Sequence, residues 1–263
     1  FSFNYNKKNY KFNVIFNAVH GQPGEDGELA ILLDSKNIPH TSCNFSAANL
    51  TYSKKDCLIE AKKFNIATAK SIYIDSEDKL IESEIINEIG LPCFVKANKA
   101  GSSFGVYRVS DKKMLRPSIK NAFKEDSQVV IESELKGREV SVGVYKDIDG
   151  IKCLPVTEII SENEFFDYEA KYLGKAIEIT PAQIPNEWID SVIKTSIYLY
   201  KKFNLKGICR SEYIFVDDIP HLLEINSVPG LTEQSIVPKQ CKAAGISLNL
   251  FFEKLLIEAI NKN

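Results

Sequence analysis

The sequence predicts a mixed fold of the α/β to α+β class, because strand-like and helix-like segments alternate along the whole chain. Residues 12–19, Phe-Asn-Val-Ile-Phe-Asn-Ala-Val, are rich in β-formers and almost continuously apolar, which predicts a strand buried in a parallel sheet. Residues 186–203 carry apolar side chains at the spacing of an amphipathic helix. Two runs, 210–216 and 221–226, flank a polar turn and predict a β-hairpin.

The segments between these elements continue the alternation. A glycine-rich turn at residues 20–27 separates the first strand from the helix that follows it, and Pro39 ends that helical region. Further helices are predicted at 28–36, 54–65, 112–124 and 248–261. Further strands are predicted at 92–97, 106–109, 128–132 and 139–146. Strands and helices therefore mix throughout, as expected of layered α/β architectures.

Composition limits the possible functions. The 263 residues are enough for two or three compact units, with 44% hydrophobic and 26% charged residues. A net charge of -2 argues against a nucleic-acid partner, and no apolar run is long enough to cross a membrane. Six scattered cysteines without a C-x-x-C pair predict buried free thiols in a cytoplasmic protein, and the three histidines do not cluster with them as a zinc site would require.

The predicted hairpin carries the most informative polar residues. Side chains on a strand point the same way every second residue, so Arg210 and Glu212 share one face, as do Glu224 and Asn226 on the returning strand. If the strands pair, three oxygen ligands and one guanidinium converge. Such hard oxygens suit Mg²⁺, and the arginine suits a developing oxyanion. The alternative interpretation is a solvated polar face.

A loop of small residues suggests a phosphate site. The loop that follows Lys96 contains the hydroxyls of Ser102 and Ser103 and backbone N–H groups that can surround an anion, although the pattern by itself favours a plain hairpin turn. Glu132 and Glu139 lie at the ends of apolar strands, where each can accept ribose hydroxyls or be an ordinary surface charge.

The segment His20-Gly-Gln-Pro-Gly-Glu-Asp-Gly27 connects the first predicted strand to a helix. Backbone N–H groups at a helix start attract anions, here a substrate carboxylate or phosphate. A purely structural turn is the competing interpretation.

Taken together and in this order, the segments resemble the D-alanine–D-alanine ligase family of the ATP-grasp superfamily over nearly the whole chain. The strings Asp167-Tyr-Glu-Ala-Lys-Tyr172 and Glu224-Ile-Asn-Ser-Val-Pro-Gly-Leu-Thr232 are the most specific. The other matching strings are His20 to Gly27, Phe94 to Gly105, Glu132 to Glu139, Pro181-Ala182, Arg210-Ser-Glu212, and Ser235 with Pro238. The resemblance implies an ATP-grasp fold in three parts. These are a partial N-terminal Rossmann-like substrate domain (1–53), a central ATP-binding subdomain (54–137) and a C-terminal catalytic domain (138–263).

The resemblance also implies the nucleotide site. ATP would bind with two Mg²⁺ ions, for which Mn²⁺ can substitute, and the metal ligands would be Glu212, Glu224 and Asn226. Lys54 and Lys96 would hold phosphates, Ser102 and Ser103 would lie in the loop that closes over them, and Lys171 would reach the γ-phosphate. The rest of the nucleotide pocket would be formed by Glu132, Ser133, Glu134, Leu135, Glu139, Phe165 and Ile214.

The amino-acid substrates are implied in the same way. Arg210 and the backbone N–H of Gly230 would form the oxyanion hole, with Ser103, Lys171 and Tyr172 also counted as catalytic. Substrate contacts would come from His20, Tyr172, Arg210, Gly230, Ser235 and Ile236. In the resembled family the tyrosine that corresponds to Tyr172 accompanies an amine nucleophile. D-alanine is therefore expected as the second substrate, in the synthesis of a peptidoglycan precursor. We also expect a homodimer.

Two departures keep alternatives open. Where many relatives carry Arg-x-Asp, this chain has Arg210-Ser-Glu212, which keeps the charge but reaches one methylene further. The family looks to open with a serine- and glutamate-bearing segment that does not precede Phe1, so we expect a truncated or trimmed chain. Another ATP-grasp carboxylate–amine or depsipeptide ligase, or a nucleotide-binding fragment without ligase activity, therefore stays possible.

Overall fold

The computed structural model describes residues 1–76, 81–101, 104–161 and 176–261. The helices are α1 Glu28–Ser35, α2 Phe45–Tyr52, α3 Lys54–Lys63, α4 Glu82–Ile89, α5 Lys112–Ala122, α6 Asn186–Lys202, α7 Ile236–Ala243 and α8 Leu248–Ile260. The strands are β1 Ser2–Tyr5, β2 Lys8–Lys11, β3 Ser71–Ile74, β4 Cys93–Ala97, β5 Val106–Val109, β6 Val129–Ser133, β7 Arg138–Asp147, β8 Gly150–Cys153, β9 Thr157–Ser161, β10 Ala176–Ile179, β11 Ile208–Val216 and β12 Ile219–Asn226. The predicted mixed class is confirmed.

The smaller of the two main sheets has four strands in the order β3-β6-β4-β5, all pairing antiparallel. Helices α4 and α5 cover one face through buried apolar side chains such as Ile85, Leu115 and Ile119, which pack in one cluster with Val95 and Ile131 of the strands. The opposite face is left for polar and aromatic residues that line a cavity.

The larger sheet has six strands in the order β10-β9-β7-β11-β12, with β8 also paired to β7. The alternation along β7 assigns its two faces. Val140, Val142 and Val144 pack in the core that includes α6, whereas Tyr145 packs against Phe251 of α8 on the other side. A long strand with helices on both faces is a rigid base for a site.

Two sequence predictions need correction. The strand expected at 12–19 is reduced to a single parallel bridge between Ile15 and His40 in the described residues, because apolar character alone does not supply the two neighbouring strands that a buried parallel strand needs. The hairpin turn is also shorter than expected. Asp217 and Asp218 have φ of 47° and 63°, so a two-residue turn of the I′ kind closes the hairpin, and residues 219–220 belong to β12.

The N-terminal part contributes helices to the large core. Ala47 of α2 and Leu58 and Ala61 of α3 lie in the same apolar cluster as β7, β11 and β12. The cysteine prediction is confirmed for the free state, and five of the six thiols are buried, with Cys153 partly exposed. Among the described helices, none has the length and apolar character that crossing a bilayer requires.

Candidate active site

A cavity of about 820 Å³ lies between the open faces of the two sheets. Predicted site residues from both sheets, from the segment that joins the sheets and from the start of α3 share its lining. They are Lys54, Lys96, Glu132, Ser133, Glu134, Leu135, Glu139, Glu212, Ile214, Glu224 and Asn226. The cavity therefore collects residues that are far apart in sequence into one concave site, as a small-molecule site requires.

The hairpin brings its four polar residues together as predicted. In the antiparallel register Arg210 is opposite Asn226, and Glu212 is opposite Glu224. A β-bulge next to Glu212 leaves Leu223 without a direct partner, which turns the strand locally while keeping the two glutamates on the cavity side. Arg210 donates from Nη2 to Oε1 of Glu212 over 2.6 Å, and Asn226 donates from Nδ2 to Oε1 of Glu224 over 3.3 Å.

Arg210 is held as a buried cation. Burial alone would lower the pKa of its guanidinium, but Glu212 and Glu224 outweigh this and raise the pKa. Its buried Nε has no hydrogen-bond partner within the described part of the chain. An unsatisfied donor on a fixed cation is suited to bind an anionic oxygen.

Lys96 forms a second buried charge pair on the small sheet. Its Nζ lies 2.5 Å from Oε2 of Glu132, and the two side chains are 17% and 4% exposed. Burial would lower the pKa of Lys96, but the contact with Glu132 raises it, so the lysine remains charged. The pair gives the cavity wall one fixed positive group beside one fixed acceptor.

Lys54 is placed by the start of α3. Ser53 caps this helix, and the fully buried Asn98 accepts from the Lys55 backbone N–H and donates to the Ser53 hydroxyl. The Lys54 ammonium donates to the carbonyl of Ala100 over 2.6 Å and lies 3.8 Å from Glu224. Lys54 thus bridges the loop after β4 and the hairpin carboxylates.

A tight turn follows the hairpin. Gly230 approaches Ser235 so closely that a Cβ at this glycine would lie 2.7 Å from the serine Oγ, and Ser235 also hydrogen-bonds Thr232. Ile236 then begins α7. Ser235 is therefore at the N-terminus of a helix, where backbone N–H groups face outward.

A family model described as the C-terminus of D-ala D-ala ligase matches residues 58–257. The chain belongs to the D-alanine–D-alanine ligase family. Proteins of that name from Flavobacterium johnsoniae and Christiangramia forsetii are 48% and 44% identical over 252 and 262 residues. These alignments cover 96% and 100% of this chain and 78% and 80% of the relatives.

Solved structures of ligases agree with the family fold. The D-alanine–D-alanine ligase of Bacillus anthracis complexed with ATP has a TM-score of 0.82 at 29% identity, covering 95% of this chain and 79% of that one. A D-Ala:D-Ser ligase from Enterococcus faecalis has a TM-score of 0.85 at 29% identity, covering 94% and 73%. The predicted ATP-grasp fold is confirmed by these likenesses.

Within the family motif at residues 20–27, the structure brings a different residue to the cavity than the one predicted. His20 is exposed and does not line the cavity, whereas Glu25 does. Burial raises the pKa of Glu25, and nearby Glu224 adds to this, although the Gly21 N–H donates to its carboxylate over 2.7 Å. Glu25 was not predicted from the sequence, because residues in a turn follow no regular period that would indicate where each side chain points.

Five predicted residues lie outside the described residues. They are Ser102, Ser103, Phe165, Lys171 and Tyr172.

The donor set at the hairpin fits Mg²⁺. Glu212, Glu224 and Asn226 offer carboxylate and amide oxygens within one cross-strand patch. No three His, Cys, Asp or Glu side chains cluster as a metal site among the described residues, so two acids and one amide are the available set. Mg²⁺ commonly takes one or two protein carboxylates and completes its shell with phosphate and water.

Proposed function

We propose that this chain joins two D-alanine molecules into D-alanyl-D-alanine for peptidoglycan precursor synthesis, using ATP to activate the first carboxylate. The observation that carries the proposal is the meeting of the Lys54 ammonium with the carboxylates of Glu212 and Glu224 in the cavity wall, where Arg210 pairs with Glu212. Membership of the D-alanine–D-alanine ligase family supports the reaction class.

In the first step a carboxylate oxygen of one D-alanine attacks the γ-phosphorus of ATP, and the bond to ADP breaks. Lys54 and Lys96 bind the phosphates. Glu212, Glu224 and Asn226 would hold two Mg²⁺ ions, or Mn²⁺ in their place. When bound, these ions neutralise the triphosphate and align the transfer. The chain itself contributes position and charge.

In the second step the amine of another D-alanine attacks the acyl carbon. Negative charge develops on the carbonyl oxygen, where the Arg210 guanidinium and the backbone N–H of Gly230 donate hydrogen bonds. The bond between the acyl carbon and the phosphate oxygen then breaks, inorganic phosphate leaves, and the attacking nitrogen loses a proton. The products are one dipeptide, one ADP and one phosphate.

The remaining roles complete the proposed site. Ser133, Glu134, Leu135 and Ile214 would surround the base, and Glu132 and Glu139 would accept from the nucleoside. Ser235 and Ile236 would bind the carboxylate of the second amino acid at the start of α7. His20, Ser102, Ser103, Phe165, Lys171 and Tyr172 keep the roles that the resemblance implies.

The second amino acid could also be D-serine. The likeness to a D-Ala:D-Ser ligase at 29% identity favours testing this alternative directly. D-Lactate would indicate a depsipeptide ligase.

We also propose a three-part division at residues 1–53, 54–137 and 138–263, a homodimer, and a cytoplasmic location. The confinement of the four-stranded sheet to residues 71–133 and of the six-stranded sheet to residues 138–226 supports the second boundary. Light scattering of the purified protein tests the dimer.

The test of the reaction is phosphate release from Mg²⁺-ATP with and without D-alanine, alongside D-serine, D-lactate and L-alanine. The proposal expects strong stimulation by D-alanine and a dipeptide product. A rate that D-alanine leaves unchanged would refute it, and preference for D-serine or D-lactate would reassign the second substrate.

A further inference from the structure

A largely buried ion pair lies in the cavity wall beside the segment that joins the two sheets. Arg108 on β5 donates from Nε to Oε1 of Glu134 over 2.6 Å, and the two side chains are 18% and 11% exposed. Both residues line the cavity. Glu134 belongs to the linker of residues 134–137, which joins the small sheet to the large one.

The position of Arg108 in the small sheet brings it to this linker. Phe94 pairs with Glu132 on one side and with Arg108 on the other, so the three form one row across the sheet. All three line the cavity. The row ends at β5, the edge strand, and the long arginine side chain returns from that edge to the linker.

The linker is fixed at several further points. The backbone N–H of Ser133 donates to the carbonyl of Lys70, and that of Glu134 donates to the carbonyl of Pro92. At its other end, Gly137 lies so close to the carbonyl of Phe215 that a Cβ would clash with it. The Arg108–Glu134 pair adds a side-chain contact between the linker and β5.

The side chains around the linker indicate which part of a nucleotide this region of the cavity can bind. The apolar side chains of Phe94, Val106, Ile160 and Leu223 line the cavity together with the linker. The lysines and carboxylates suited to phosphate and metal are Lys54, Lys96, Glu212 and Glu224. The apolar side chains suit a flat base beside the linker, and the charged side chains suit a triphosphate.

We infer that Arg108 and Glu134 are a positioning pair, which holds the linker in the conformation that receives the nucleobase of ATP. The inference rests on the proposed function. Removal of Arg108 takes from Glu134 its shortest ion pair, and a largely buried carboxylate that loses its partner is strongly unfavourable. Lys136 approaches the other Glu134 oxygen at 3.9 Å but is 81% exposed, so it cannot replace the arginine.

Two probes distinguish contacts with the nucleobase from contacts with the phosphates. Affinities for Mg²⁺-ATP and for inorganic tripolyphosphate are measured by calorimetry on the wild-type chain, Arg108→Ala, Glu134→Ala, the double variant and Arg108→Lys. The matched control is Arg116→Ala, which removes an Nε–Oε1 pair of 2.7 Å with Glu82 between α5 and α4, away from the cavity.

The inference expects Arg108→Ala to bind ATP about tenfold more weakly, with tripolyphosphate affinity unchanged within about twofold. The double variant should be no weaker than the worse single variant, because both disrupt one contact. Arg108→Lys should recover part of the ATP affinity, and KM for ATP should rise more than kcat falls. Arg116→Ala should match the wild type for both probes.

Unchanged ATP affinity in both single variants would overturn the inference, as would an equal loss for tripolyphosphate in folded protein. Thermal unfolding of each variant distinguishes that equal loss from general destabilisation, with Arg116→Ala as the baseline for losing a more exposed ion pair near the same sheet. If the wild type itself fails to bind ATP, the proposed function fails and the inference fails with it. ATP binding by the wild type with unaffected variants refutes the inference alone.

Discussion

Glu212 and Glu224 lie directly opposite each other in neighbouring strands, one residue before the β-bulge of the hairpin. Arg210 stabilises the first of these carboxylates, and Lys54 lies near the second. Two acids this close repel unless cations separate or accompany them. Each carboxylate therefore has a protein cation beside it, and both line the cavity, where their oxygens can meet a bound ligand.

Glu212→Gln should raise the Mg²⁺ concentration needed for half-maximal turnover and lower kcat, because an amide replaces a charged hard ligand. A magnesium titration of ATP turnover checks this. Glu253→Gln is the matched control, since Glu253 is exposed on α8. An unchanged magnesium dependence in Glu212→Gln would remove this residue from the metal site.

Arg210→Lys should lower kcat on the order of 10²–10³, the usual cost of losing an oxyanion donor. The ammonium keeps the charge near Glu212 but cannot reproduce the planar guanidinium. KM for ATP should change little. Steady-state kinetics separate the two constants, and a loss confined to KM would assign Arg210 to ground-state binding instead.

Lys96→Met should weaken ATP binding and also lower the free energy of unfolding by about 3 kcal/mol, because Glu132 is left buried without its partner. The double variant Lys96→Met/Glu132→Leu should recover much of that stability without recovering ATP binding. Denaturant unfolding and ATP titration measure the two quantities separately. If the double variant recovered ATP affinity as well as stability, the Lys96–Glu132 pair would have a structural role only.

Asp147→Asn should make stability depend less on pH. Burial would raise the pKa of Asp147, but hydrogen bonds from Lys152, Lys254 and the Asp149 N–H lower it below its ordinary range. A carboxylate whose pKa is lowered by folding stabilises the folded state at pH values above its unfolded-state pKa. This stabilisation is lost as the pH falls through the folded-state pKa. The Tm deficit of the variant should therefore be present near about pH 7 and shrink below about pH 3.

The matched control is Asp149→Asn, because Asp149 also pairs with Lys152 but is 67% exposed. It should lower Tm little at any pH. A Tm deficit of Asp147→Asn that persists at low pH would show that its hydrogen bonds, and not its charge, stabilise this corner.

Strand periodicity predicted the arrangement of the hairpin residues well, and it predicted the remaining parts of the fold less completely. Alternation placed Arg210 with Glu212 and Glu224 with Asn226, and antiparallel pairing of the two strands then required the four to meet. The strands β4, β5, β6, β7, β11 and β12 and the helices α1, α3, α5, α6 and α8 lie close to their predicted ranges.

The misses have physical causes. Short strands such as β3 and β8 carry too few residues to show a clear period, and β9 and β10 depend on their pairing, β10 with β9 and β9 with β7. Arg108 and Asn98 gave no signal, because their importance comes from partners 26 and 45 residues away. Glu25 likewise depends on where its turn lies relative to the hairpin.

The most direct test of the account is dipeptide formation by the wild type and by Glu224→Ala, with ADP and D-alanyl-D-alanine quantified in the same reaction. The account predicts one dipeptide for each ADP in the wild type, and loss of both products in the variant together with weaker Mg²⁺-ATP binding. Near-normal dipeptide formation by Glu224→Ala would contradict the placement of the reaction centre at the β11–β12 hairpin.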